Sequence, residues 1–97
     1  MQEKVMKNVA RYEKTHDVVF TKELAALKLF EESGEFAQAL VVHNKQSRPS
    51  KFKPFEESKH DVALELADIL GIIILNAHVH DIDLEAALHE KWMSKVE

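Results

Sequence analysis

The sequence contains no cysteine and only two glycines and two prolines. Without cysteine, disulfides, thiolate zinc sites and cysteine nucleophiles are excluded, so any bound metal must take oxygen or imidazole ligands. A β-rich fold must turn about every ten residues, and so few glycines and prolines do not supply those turns. These absences favour a helical protein.

A membrane-spanning apolar run and a signal-peptide pattern are also missing from the sequence. The longest apolar stretch runs from Ile69 to Leu75, far below membrane-spanning length. We therefore expect a cytoplasmic protein without a membrane partner. The net charge of −4 argues against a nucleic-acid partner. A chain of 97 residues, 45% of them hydrophobic, predicts one domain over residues 1–97.

The spacing of apolar side chains at three and four residues predicts an all-α chain of four helices. Thr21 is the expected N-cap of the second helix and Asp83 that of the fourth. Ser58, followed by Asp61, resembles a capping box and is the expected start of the third helix. The predicted spans are helix one over 2–16, helix two over about 22–44, an irregular connection over 45–57, helix three over about 58–80, and helix four from 83 onward.

Helix three is apolar around its whole circumference between Ile69 and Leu75. A helix of this kind must be buried on all sides, and three other short helices can hardly enclose it. We therefore predict a homo-oligomer, at least a dimer. Helices two and three are expected to form an antiparallel hairpin, with Leu27 and Phe30 of helix two packing in its core against Ile69 and Ile72 of helix three.

Two acidic motifs lie on the two helices of this hairpin. Each contains carboxylates three residues apart, which face the same side of a helix. If both pairs point into the hairpin, the four carboxylates repel one another unless a hard divalent cation lies between them. Magnesium suits such a site, because it takes oxygen ligands and is commonly shared between carboxylates and substrate phosphates. A single acidic run is better interpreted as a solvated helix face, but two pairs in apolar surroundings favour a metal site. The motifs are EESGE at residues 31–35 and ELAD at residues 65–68.

The order of these motifs resembles the MazG-like branch of the all-α nucleotide pyrophosphohydrolases, whose signature is E-E-x-x-E followed by E-x-x-D on the next helix. The resemblance extends from about Leu24 to Lys91. It implies a four-helix MazG-like bundle that hydrolyses (deoxy)nucleoside triphosphates between the α and β phosphates, releasing pyrophosphate, as in housecleaning of the nucleotide pool. It also implies Mg²⁺ as cofactor, with Mn²⁺ as a possible substitute, and a homodimer or dimer of dimers.

Carried over by motif position, the resemblance assigns the metal ligands and the catalytic carboxylates. Glu31 is placed as an additional ligand or as the residue that orients the attacking water, and Glu32 and Glu35 share the catalytic role. The metal ligands are Glu32, Glu35, Glu65 and Asp68.

Candidate substrate contacts lie outside the acidic motifs. Lys91 on helix four is the first candidate for phosphate, and Lys51 and Lys53 in the basic connection are the next. The two lysines of the connection are at least as well interpreted as side chains that solvate it. Asn76, two turns beyond Asp68, is a candidate for the base, although such an asparagine more often supports a helix contact.

Three other classes of protein are alternative interpretations. A di-iron carboxylate bundle uses glutamates together with E-x-x-H motifs, and Glu57 with His60 has that spacing at the start of a helix. The His-Asp pairs at His60 and His80 suggest a metal phosphohydrolase whose fold needs more helices than this chain has. A non-enzymatic helical interaction module, with an inactive acidic site, is the third interpretation.

Overall fold

The computed structural model describes residues 1–96, and Glu97, the last residue of the predicted domain, lies outside them. Residues 1–96 form helices and connections, with no strand among them. The predicted all-α class and the close packing of helices two and three are thus confirmed. The elements are α1 (Gln2–His16), α2 (Lys22–His43), a 3₁₀ turn (Pro49–Lys51), α3 (Phe55–Val79), and α4 (Leu84–Leu88), which continues into a π-helical turn (His89–Met93).

The side chains expected to cap α2 and α4 do so. Thr21 Oγ1 accepts a hydrogen bond from the backbone N–H of Leu24 at 3.1 Å. Asp83 Oδ1 accepts one from the N–H of Ala86 at 3.0 Å. Each bond satisfies a backbone donor that has no partner within the first turn of its helix.

The predicted start of α3 at Ser58 is wrong, because the helix begins one turn earlier, at Phe55. Pro54 precedes the first helical residue with φ of −53°, and its fixed φ is compatible with a helix start. Glu56 and Glu57 lie in the first turn, where carboxylates are favoured by the helix dipole. Ser58 is therefore inside the helix, where its hydroxyl donates to the backbone oxygen of Phe55 at 3.0 Å.

The antiparallel hairpin of α2 and α3 is held by side-chain hydrogen bonds near both of its ends. At one end Asn76 Nδ2 donates to the backbone oxygen of Ala25 at 2.9 Å. At the other end His43 Nδ1 lies 2.7 Å from Ser58 Oγ. Because the Ser58 hydroxyl hydrogen is used toward Phe55, His43 acts as the donor in this pair. The two bonds fix how far α3 is displaced along α2.

The core of the single chain is small and lies where α1 packs beside the open end of the hairpin. Its buried apolar side chains are Ala25, Ile74, Leu75 and Ala77. The prediction that Leu27 and Phe30 belong to the core is wrong, since their side chains are 63% and 77% exposed. With 3.6 residues per turn, both project from the side of α2 opposite Ala25. The second helix therefore has an apolar outer face as well as an inner one.

By length and composition alone, α3 could cross a membrane, and it is the one helix of residues 1–96 for which this holds. The central helix of a soluble protein often has the same length and composition. Cytoplasmic localisation therefore stays a prediction.

We predict that Asn76→Ala lowers the free energy of unfolding by about 1–3 kcal/mol, because it removes the link between Ala25 and α3. Urea denaturation followed by circular dichroism measures this loss. Asn44→Ala, at an exposed position after α2, is the matched control and should change stability by less than about 0.5 kcal/mol. Equal losses in the two variants would show that the Asn76 bond does not hold the hairpin.

Candidate metal centre

Four carboxylates converge midway along the hairpin. Glu32 and Glu35 lie one turn apart on α2, and Glu65 and Asp68 lie one turn apart on α3. One oxygen from each of the four lies within 4.8 Å of the others. Antiparallel packing produces this arrangement, because it brings the two helix faces together with their acidic pairs at the same level. We call these four residues the acidic cage.

Two oxygens of the acidic cage are buried without a hydrogen-bond partner among the described residues, namely Glu32 Oε2 and Glu65 Oε2. Burial is the main cause that raises the pKa of Glu32 from 4.5 to about 7. Hydrogen bonding to Glu35 and the negative charges of the other cage residues act in the same direction. Burial, followed by the charge of Glu35, also raises the pKa of Glu65.

This donor set fits a divalent cation. A hard cation has oxygen ligands at about 2.0–2.6 Å, so ligands on opposite sides are separated by roughly 4–5 Å. The 4.8 Å limit within the cage agrees with that separation. A cation would also neutralise the repelling charges and provide a partner for the two buried oxygens. The residues of the acidic cage can therefore hold a divalent metal ion.

Glu31, the first residue of the motif, lies outside the acidic cage. Its Oε1 accepts a hydrogen bond from Lys28 Nζ at 3.1 Å, and its side chain is 54% exposed. Because successive residues on a helix differ in direction by about 100°, Glu31 and its neighbour Glu32 project from different sides of α2. Its role in orienting water stays a prediction.

Of the three candidate lysines, the structure brings Lys53 beside the cage. Lys53, Glu35 and Glu65 line a cavity of about 470 Å³, which we call the Lys53 cleft. Lys53 Nζ lies 2.8 Å from Asp61 Oδ2. Lys51 lines a separate cavity between α2 and the connection. Lys91 is exposed on the π-helical turn and does not line the Lys53 cleft.

The amide of Asn76 is engaged between helices rather than directed at the cage. Besides its bond to Ala25, Nδ2 donates to the backbone oxygen of Ile72 at 2.9 Å. Among residues 1–96, the only group of side chains with the spacing of a metal site consists of carboxylates. His60 and His80, the histidines of the alternative interpretations, are exposed and lie outside it.

A second opening beside the cage was not predicted. It consists of two adjoining cavities of about 460 and 220 Å³, both lined by Glu32 and Asp68 of the cage and by Asn8 of α1. We call it the α1 cleft. The spacing of apolar residues predicts that α1 is amphipathic, but it does not predict which helix α1 packs against. The sequence around Asn8 therefore does not indicate that this residue lies near the cage. Its position depends on the packing of α1 against α3.

A family model described as phosphoribosyl-ATP pyrophosphohydrolase (PRA-PH) matches residues 3–91. The chain therefore belongs to the PRA-PH family, within the all-α, MazG-like superfamily of nucleoside triphosphate pyrophosphatases. The predicted superfamily is confirmed, whereas the MazG branch itself is not distinguished. Comparisons with curated proteins and with solved structures gave no match. The family supports a hydrolase that acts on acid anhydrides and releases pyrophosphate.

We predict that, in EDTA, the protein loses stability as the pH rises from about 5 to 8. The pKa of Glu32 is about 7 in the folded chain, against an ordinary value of 4.5 for a solvated glutamate. Between these values the folded state keeps a proton that the unfolded state has released, so raising the pH favours unfolding. Thermal unfolding across this pH range measures the effect.

The control for this experiment compares two neighbouring glutamates. Glu32→Gln should flatten the decline because it removes the group whose pKa is raised. Glu31→Gln, at the exposed neighbouring position, should leave the decline in place. A decline of equal slope in wild type and Glu32→Gln would contradict the assignment of the effect to Glu32.

Proposed function

We propose that this protein hydrolyses a nucleoside triphosphate between its α and β phosphates, giving the monophosphate and pyrophosphate, with Mg²⁺ as cofactor and Mn²⁺ as a possible substitute. A housecleaning role on the nucleotide pool fits this reaction. The observation that carries the proposal is the acidic cage, with four carboxylate oxygens within 4.8 Å in a chain of a pyrophosphohydrolase family.

The cage carboxylates and the residues around them have different roles in this reaction. When bound, a magnesium ion neutralises phosphate charge and lowers the pKa of a bound water. Glu32, Glu35, Glu65 and Asp68 hold this ion, and the hairpin places them before substrate arrives. Lys53 contacts the departing pyrophosphate after exchanging Asp61 for a phosphate oxygen. Glu31 lies one residue from the cage, where it is proposed to orient the attacking water.

Phosphoribosyl-ATP is the second candidate substrate, because the matching family carries that name. It contains the same triphosphate group, so the acidic cage would act on it in the same way. The two candidates differ in the group attached to the triphosphate, and a direct comparison of substrates distinguishes them.

We further propose that the chain works as a homodimer or a dimer of dimers, in the cytoplasm and without a nucleic-acid or membrane partner. The outer face of α2 presents Leu27 and Phe30, whose side chains are 63% and 77% exposed. On α3, Leu66 and Leu70 are also about half exposed and lie one turn apart. We infer that these exposed apolar side chains belong to one surface on the back of the hairpin, which a second copy of the chain would cover.

We predict that the purified protein converts nucleoside triphosphates to monophosphate and pyrophosphate in Mg²⁺ and not in EDTA. A panel of canonical and modified nucleotides together with phosphoribosyl-ATP, followed by ³¹P NMR, identifies the products and the preferred substrate. Glu35→Gln and Asp68→Asn should each lower kcat/KM by more than the roughly 10- to 100-fold typical of losing a partner that supports a metal ligand. Glu90→Gln, an exposed substitution near the C-terminus, is the control and should retain activity.

Two results would contradict the proposed reaction. One is orthophosphate as the primary product, because cleavage between α and β phosphates releases pyrophosphate. The other is activity that survives both Glu35→Gln and Asp68→Asn, because the cage would then be dispensable.

We predict that Phe30→Glu weakens self-association at least roughly 30-fold, as expected for a central apolar contact, and lowers activity. Size-exclusion chromatography with light scattering measures the oligomeric state. Val19→Glu introduces the same charge at another exposed apolar position, between α1 and α2, and should leave assembly unchanged. A wild-type protein that is monomeric at assay concentration, or a Phe30→Glu variant that still dimerises, would exclude this surface as the interface.

A further inference from the structure

The two clefts beside the acidic cage differ in chemical character. The Lys53 cleft carries the charged side chains of Lys53 and Asp61 in addition to the cage residues Glu35 and Glu65, and no aromatic residue of the described chain lines it. The α1 cleft reaches the other two cage residues and also carries Lys4 and Lys28, but its inner part adds the aromatic side chains of Tyr12 and Phe20. The cage therefore lies between two openings that both carry charged side chains, and of these two only the α1 cleft has aromatic residues in its lining.

An aromatic wall bounds the inner part of the α1 cleft. It is formed by Tyr12 and Phe20, whose ring centroids are 5.8 Å apart. Glu13 Oε2 accepts a hydrogen bond from the backbone N–H of Phe20 at 2.7 Å, which holds the connection between α1 and α2 against α1. A fixed aromatic and apolar wall with a few polar groups suits a planar, partly polar ligand such as a nucleobase.

Asn8 provides an uncharged polar group in this cleft, beside the charged side chains of Lys4 and Lys28. It lines both cavities of the cleft, and its Oδ1 accepts a hydrogen bond from Arg11 Nη2 at 2.9 Å. Arginine only donates, so this contact fixes which end of the amide is the oxygen. The amide N–H groups donate to no protein acceptor within residues 1–96 and are available to a ligand.

We propose that the α1 cleft is the nucleoside subsite and that Asn8 selects the base by donating to a ring carbonyl, such as that at position 4 of uracil. This inference rests on the proposed function, in which the α–β bond lies at the cage and the two products lie on either side of it. The charged Lys53 cleft then receives the pyrophosphate, and the aromatic α1 cleft receives the nucleoside monophosphate.

Uridine and cytidine nucleotides test this assignment, because their bases differ at position 4 by a carbonyl against an amino group. The wild type should prefer UTP over CTP by about tenfold in kcat/KM, the value of one hydrogen bond to a polar group. Asn8→Asp keeps an acceptor for Arg11 but offers none of the amide donors, so it should reverse the preference toward CTP. Asn8→Ala should abolish the preference without reversing it.

The design separates base selection from charge and folding effects. The added negative charge of Asn8→Asp acts on both nucleotides, so it cancels in the UTP/CTP ratio. Asn44→Asp adds the same charge at the exposed end of α2, outside the two clefts, and should leave the ratio unchanged. Thermal unfolding by circular dichroism verifies that each variant folds.

A binding experiment provides a readout that does not require turnover. Saturation-transfer NMR with UMP and CMP in EDTA should show tighter binding of UMP to the wild type and of CMP to Asn8→Asp. If no nucleotide is hydrolysed but this reversal occurs, the subsite is supported and the proposed function fails. If hydrolysis occurs and Asn8→Asp changes neither the UTP/CTP ratio nor the binding preference, the subsite assignment is overturned.

Discussion

The electrostatic repulsion among the four cage carboxylates is the constraint on which the rest of the structure depends. Their oxygens lie within 4.8 Å of one another, and burial together with the neighbouring charges raises the pKa of Glu32 to about 7. Repulsion among these charges destabilises the folded state. If the cage had no function, substitutions that remove one of the charges would stabilise the protein, and the cage would not be retained. The scaffold must therefore hold the two helices together against their own charges, as the hydrogen bonds near the two ends of the hairpin do.

The architecture and the cage were largely predictable because both follow from local periodicity. The start and end of α1, the cap at Thr21 and the cap at Asp83 agree with the expected positions. The pairing of the acidic motifs needed only the assumption of an antiparallel hairpin, since each pair already faces one side of its own helix.

Most of the incorrect and missing predictions concern tertiary context, and one concerns a competing local signal. Phe30 fits a helical apolar pattern, but α2 has two apolar faces and periodicity does not tell which one meets α3. Ser58 has the chemistry of an N-cap, yet Pro54 starts α3 one turn earlier and the hydroxyl bonds to His43 instead. Asn8 has no motif at all, because its nearness to Glu32 and Asp68 depends on how α1 packs.

Because of the hydrogen bonds near the two ends of the hairpin, the acidic cage and the connection between its helices can change independently in evolution. A shift of α3 along α2 by one turn, about 5.4 Å, would separate the carboxylate pairs, and the bonds at Asn76 and His43 oppose it. The connection from Lys45 to Pro54 contributes no atom to either of these two bonds. Relatives can therefore lengthen, shorten or recharge that segment, and with it the Lys53 cleft, while the acidic cage keeps its geometry.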